Sequence, residues 1–249
     1  MKKIKTTIVV AAVALVPAAM QAQSDELGSW TSIAIDKKLS KPLTLGAEVE
    51  LRTGNNLKNV DRWSAGISAD YRLTKWLKAS AGYTFLYDYH PETYTYQDDG
   101  DLNKRTMSYF GPRHRLSASL TASHDFGRLS ISLRERWQYT YRPEQADLRM
   151  DYQHASLGYS YPVKGKAKNV WRNRLQLKYK TDGLLRPYLY GETYVGGSGF
   201  DKLRLALGTE LKLSKKSALN IGYVFQRPFN DEDEPANKHI LNVGYKLDL

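Results

Sequence analysis

Apolar and polar residues alternate one for one over ten or more positions in segment after segment of this chain, a period of two that belongs to β-strands. Over residues 43–52, Leu43, Leu45, Ala47, Val49 and Leu51 share one face, while Thr44, Gly46, Glu48, Glu50 and Arg52 share the other. Trp63, Ala65, Ile67, Ala69 and Tyr71 repeat the code against Arg62, Ser64, Gly66, Ser68 and Asp70. It returns over residues 77–87, 116–122, 129–139, 203–213 and 219–225, and more weakly over 30–39, 171–180, 187–195 and 240–249. A globular strand averages about five or six residues, whereas about 9–11 are needed to cross a bilayer at a tilt. The length of these segments therefore points to a membrane.

The connections support that reading, because short ones alternate with long ones. Residues 40–42, 74–75, 126–127, 181–184 and 214–216 read as tight periplasmic turns; residues 54–59, 90–111, 142–169, 196–199 and 229–238 read as extracellular loops. Aromatic residues gather near strand ends, at Trp30, Trp63, Trp76, Tyr87, Trp137, Tyr139, Tyr141, Trp171 and Tyr245, where interfacial girdles need them. The expectation is an all-β protein, an antiparallel transmembrane β-barrel of ten to twelve strands. Eleven strands are recognisable, and bacterial single-chain barrels normally have an even number. Parity can be restored if the 152–161 region is an irregular strand, or if the first segment is not a complete one.

The first residues change the picture further. Lys2, Lys3 and Lys5 precede an apolar run from Ile8 to Met20 that is too short to span a bilayer, followed by small and polar residues. This reads as a signal peptide over residues 1–22, cut after Ala22, with a single barrel domain over residues 23–249. Loss of its three lysines and no acids lowers the formal charge from +11 to +8. The chain has no cysteine, which excludes a disulfide framework, an acylated lipoprotein cysteine and thiolate chemistry. Its basic residues are spread through alternating strands behind an export leader, so nucleic acid is not an expected partner.

At the other end Leu241, Val243, Tyr245, Leu247 and Leu249 alternate up to the terminus, in the manner of the signal that delivers outer-membrane proteins to the barrel-assembly machinery. Several short motifs share an order: Lys37-Lys38-Leu39-Ser40 after Trp30, Glu48-Val49-Glu50-Leu51-Arg52, Asp61-Arg62, Tyr71-Arg72-Leu73 and Trp76-Leu77. Ala81-Gly82-Tyr83 and Arg113-His114-Arg115-Leu116 continue it. In this order the chain resembles an uncharacterised family of bacterial outer-membrane proteins, domain of unknown function 2490. The resemblance implies a barrel and no assigned reaction.

With the apolar faces toward lipid, the opposite faces gather Arg62, Arg72, Lys78, Arg115, Arg134, Arg136, Arg172, Arg174, Lys178 and Arg204 in the lumen. Glu48, Glu50, Asp70, Glu192 and Glu210 are the acids available there. The leading expectation is an ion-paired filling that closes a narrow interior; the functional alternative is an electropositive lumen that selects anionic solutes. Glu135 falls on the apolar face between Leu133 and Trp137, and a bulge turning it inward toward Arg134 or Arg136 is expected. His154 and Ser156 form a His-x-Ser pair on one strand face, resembling the spacing in outer-membrane phospholipases and lipid A deacylases. The histidines show no paired ligand spacing, and neither metal nor cofactor is expected.

The sequence thus predicts an integral outer-membrane barrel with a structural, adhesive or narrow anion-favouring channel role and no catalysis. The alternative is an envelope lipid hydrolase using His154 and Ser156. Outer-membrane lipids, lipopolysaccharide and, during biogenesis, the barrel-assembly machinery are the expected partners. Nothing in the sequence fixes an oligomeric state.

Overall fold

The computed structural model describes residues 25–152, 159–230 and 237–249, and among these it contains fifteen strands and no helix. Eleven make a closed wall: β1 (Glu26–Lys38), β2 (Leu43–Gly54), β3 (Asn59–Arg72), β4 (Leu77–His90), β7 (Tyr109–Phe126), β8 (Leu129–Arg142), β11 (Lys166–Tyr179), β12 (Leu185–Gly196), β13 (Gly199–Lys212), β14 (Ser217–Pro228) and β15 (Lys238–Asp248). The other four, β5 (Thr93–Tyr96), β6 (Leu102–Thr106), β9 (Gln145–Asp151) and β10 (Tyr159–Val163), form a separate sheet in the order β10-β9-β6-β5. The leader expected over residues 1–22 lies outside the described residues.

Neighbouring wall strands pair antiparallel, with one exception that follows from their number. An up-and-down barrel with an odd strand count must bring its first and last strands together running the same way. Accordingly β1 pairs parallel with β15, from Glu26 opposite Lys238 to Asp36 opposite Asp248. Both ways of restoring an even count are therefore corrected: β1 is a complete 13-residue strand, and the described part of 152–161 belongs to the outer sheet. Closure satisfies the backbone groups of every wall strand and leaves no edge to lipid, which is the condition for crossing a bilayer with strands.

The parallel seam is stitched by side chains on both faces. Lys246 bonds Asp36 at 2.8 Å near the short-turn end. At the other end the Asp25 carboxylate accepts from Asn237 Nδ2 at 3.0 Å and lies 2.9 Å from His239 Nε2, whose Nδ1 meets the Tyr223 hydroxyl. The hydrogen bond with His239 holds the Asp25 carboxyl below the ordinary aspartate range.

The wall is inside-out relative to a soluble sandwich. Mid-strand aliphatics lie bare on the outer surface, Ile67 at 66% and Leu189 at 54% exposure, whereas Glu192 is 0% and Gln226 1% exposed on the inner side. So much apolar surface is costly in water and favourable against hydrocarbon. Trp63 packs against Phe85 and Tyr87, and Tyr87 against Phe110, in an aromatic band near the loop end of the outer face. Trp30 departs from that expectation. Its ring lies in the lumen between Arg52 (4.2 Å) and Arg204 (4.7 Å), because even-numbered residues of β1 face inward and cations there supply a partner for its π face.

Glu135 also corrects its expectation. The registers of β8 with β7 and with β11 run without a bulge through Leu120 and Asn173, so the carboxylate stays on the outer face. The Trp171 indole N–H donates to it at 2.9 Å, which removes the need for an inward turn.

The two longest connections, expected as irregular loops, hold the outer sheet. β6 pairs with β9 from Lys104 opposite Asp151 to Thr106 opposite Arg149, so one loop satisfies the backbone of the other above the barrel mouth. At the opposite end the connections are short, as in the Gly127-Arg128 turn, where a φ of +59° calls for glycine.

Candidate functional site

Register builds the lumen row by row. Arg134, Arg174, Glu192, Arg204 and Gln226 are successive cross-strand partners on β8, β11, β12, β13 and β14, so one level of the inner wall is a belt of arginines around a single acid. Glu192 has no exposed surface. Arg134 Nη2 and Arg172 Nη2 each donate to it at 2.8 Å, Arg174 donates twice, from Nε at 3.0 Å and Nη2 at 3.1 Å, and Arg204 lies 4.0 Å away. The Tyr194 hydroxyl adds a bond at 2.9 Å and also receives one from Arg204. A fully desolvated carboxylate persists only when so compensated. Rings complete the belt, with Arg172 over Tyr194 at 4.5 Å and Arg174 over Tyr190 at 4.0 Å.

This belt separates two cavities. Toward the loop end, a cavity of about 140 Å³ is lined by Arg52, Arg62, Arg113, Arg115, Arg142, Arg172, Arg204, Lys166, Lys168 and Lys202, together with Gln138, Thr140, Val170, Tyr194 and Asp201. Among the described residues, ten cations thus face one carboxylate in its lining. Other acids reach the cations from the side: Glu50 bonds Arg52 at 2.7 Å, and Asp88 takes a forked contact from Arg62 and another from Arg113 at 3.1 Å. Toward the turn end, a cavity of about 300 Å³ is lined by Ser68, Ser80, Ser117, Ser119, Thr121, Ser132 and Gln176, with Ala81 and Gly82, and carries Asp70, Lys78, Arg134, Arg136 and Arg174.

Of the residues expected to line the lumen, Arg62, Arg115, Arg172 and Arg204 meet in the first cavity and Arg134, Arg136 and Arg174 in the second. Glu50 serves Arg52, and Glu48 projects into the lumen beside Ser32. Lys178 stands apart near the turn end, bonded to Glu210 at 2.6 Å, and Arg72 is exposed at the turn end of β3, outside both cavities. His154 and Ser156 lie outside the described residues. Sequence reasoning missed Asp88, Arg113, Asp201 and the inward Trp30. Arg113 shares the parity of Arg115 and was legible by extending that strand two residues toward the loop; Asp88 sits beyond Leu86, whose inward position interrupts the polar pattern.

The family model for a protein of unknown function, DUF2490, matches residues 27–237. No curated protein sequence matches the chain. Among solved structures, the translocator domain of the autotransporter NalP from Neisseria meningitidis aligns with a TM-score of 0.53 at 12% identity, covering 96% of this chain and 93% of that one. The β domain of the Bordetella autotransporter BrkA also reaches 0.53 at 12% identity, covering 84% and 82%. These likenesses concern the fold: an outer-membrane type of barrel.

Proposed function

The chain belongs to the DUF2490 family of proteins of unknown function, and from its outer-membrane type of barrel and the lumen geometry we propose that it is a narrow, anion-favouring channel of the bacterial outer membrane, without catalysis. The observation that carries this reading is the lining of the loop-end cavity, ten cations to one carboxylate among the described residues. Rings of arginine and lysine in a low-dielectric passage raise the local concentration of anions and repel cations. The Glu192 belt supplies the constriction, and the hydroxyl-lined cavity beyond it offers hydration to an ion that has passed. In this reading the leader over residues 1–22 directs export, the strand ending at Leu249 engages the barrel-assembly machinery, and the loop end faces lipopolysaccharide.

Reconstitution in a planar bilayer under a potassium chloride gradient tests it. A reversal potential of the sign set by chloride is expected. A cation-selective current would overturn it, and so would a barrel that inserts but never conducts, which would move the function to the outer sheet.

A further inference from the structure

The geometry of the loop-end cavity points to more than a general preference for anions: we propose that it is a binding site for a compact multivalent oxyanion of the phosphate class, with Arg115 as its principal donor. The inference rests on the anion-favouring reading but not on conduction.

Arg115 and Arg142 are the cavity's two arginines without a carboxylate partner among the described residues, and Arg142, the last residue of β8, meets the Lys164 carbonyl at 3.5 Å instead. Arg52, Arg62, Arg113 and Arg172 each bond a carboxylate, and Arg204 lies 4.0 Å from Glu192. Among the described residues Arg115 meets none; its Nε donates to Thr140 Oγ1 at 3.1 Å, and its remaining donors have no such acid. Arg52, Arg62 and Arg172 line the same cavity around it. A guanidinium surrounded by like charge and half removed from water is stable when an anion joins it.

Three features set the chemistry of that anion. The guanidinium fork matches two oxygens of a planar or tetrahedral oxyanion, a geometry chloride cannot use. The several cations around the cavity favour more than one negative charge on the ligand. The volume of about 140 Å³ is below the roughly 300 Å³ at which drug-sized sites begin, which suits a compact ligand such as a phosphate group. Neutral donors are present as well. Gln138 accepts from Arg172 Nη1 through its carbonyl at 3.2 Å, which leaves its amide N–H groups to donate, and the Thr140 hydroxyl lies beside Arg115.

Calorimetric titration of the full-length protein, refolded in detergent and checked by heat-modifiable migration, tests this with inorganic phosphate, glycerol phosphate and sodium chloride as separate injectants. Saturable one-to-one binding of inorganic phosphate over a chloride background is expected. Arg115→Gln should weaken it roughly tenfold, the loss of one charge-assisted fork. Arg115→Lys should restore part of the affinity, and Arg128→Gln, in the exposed turn bonded to Asp182, should leave it unchanged. Equal binding of glycerol phosphate would make the phosphate group itself the ligand; weaker binding would restrict the site to the free ion. No saturable binding to the folded protein, or unchanged affinity in a folded Arg115→Gln variant, overturns the site. Phosphate binding by a barrel that carries no current would retain the site and remove the channel, whereas anion current without phosphate binding would do the reverse.

Discussion

The two lumen cavities share the strands β3, β7, β8 and β11, yet one is crowded with cations and the other is lined by hydroxyls. On β7 the inward positions run Arg113, Arg115, Ser117, Ser119 and Thr121 from loop end to turn end; on β3 they run Arg62, Ser64, Gly66, Ser68 and Asp70. Long side chains fill the loop half, leaving about 140 Å³, and short ones leave about 300 Å³ in the turn half. Barrel diameter is set by strand number and stagger, so the two spaces differ by side-chain length and charge on a common frame. The narrowing of this barrel is thus set by a belt of charged side chains, without an inserted helix or folded-in loop among the described residues.

The strongest test of the contrast is the acid at the boundary. Glu192→Ala removes the carboxylate from Arg134, Arg172 and Arg174 at once and leaves their charges facing one another. A loss of about 3–5 kcal/mol is expected, read as a lowered midpoint for urea unfolding of the refolded barrel. Glu192→Gln keeps the shape and one acceptor and should cost less. If Glu192→Ala unfolds like wild type, the belt is not what holds the two halves together.

Joining the cavities comes next in size. Arg136 and Arg172 are cross-strand partners on β8 and β11, one lining the turn-end cavity and the other the loop-end cavity. The double variant Arg136→Ser and Arg172→Ser should raise single-channel conductance several-fold while lowering anion preference, because the passage widens as it loses two cations. Conductance and selectivity moving the same way would place the constriction elsewhere.

How much of this was legible beforehand depends on which periodicity is asked. Strand existence, the inner and outer faces, and the lumen arginines from Arg62 to Arg204 followed from the two-residue period, since a wall with lipid outside and water inside enforces it at each step. The outer position of Glu135 did not follow, because its partner Trp171 lies on another strand, 36 residues away. Closure was equally hidden: an alternating sequence says which way a side chain points, not whether β1 meets its last neighbour parallel or antiparallel. The division of the lumen was legible in the change from arginine to serine along β7, but the convergence of three arginines on Glu192 required the registers of three strands. The segment holding His154 and Ser156 lies outside the described residues.

Converting one cavity toward the other gives an intermediate effect. Ser119 is buried on the inner face and opposes Arg136 on β8 and Ser80 on β4. Ser119→Arg puts a long cation beside Arg136 with no acid added. Like charge in a partly desolvated lumen should destabilise the barrel by about 1–3 kcal/mol, and the filled cavity should reduce conductance. A neutral outcome in both measurements would mean the turn-end cavity tolerates the same filling as its neighbour.

The smallest effect belongs to the turn-end ion pair, and its smallness is the point. Lys78 Nζ bonds Asp70 Oδ2 at 2.7 Å, with side chains 44% and 31% exposed, so lumen water screens both charges. Lys78→Gln should change stability by no more than about 1 kcal/mol, because pairs this exposed exchange one hydration for another and gain little from contact. Its effect on the reversal potential should fall well below that of Arg115→Gln, because Lys78 stands in the wider cavity where water screens it, whereas Arg115 stands in the narrower, cation-lined one. If the two substitutions shift selectivity equally, anion preference is a property of total lumen charge, and the difference between the cavities does not set it.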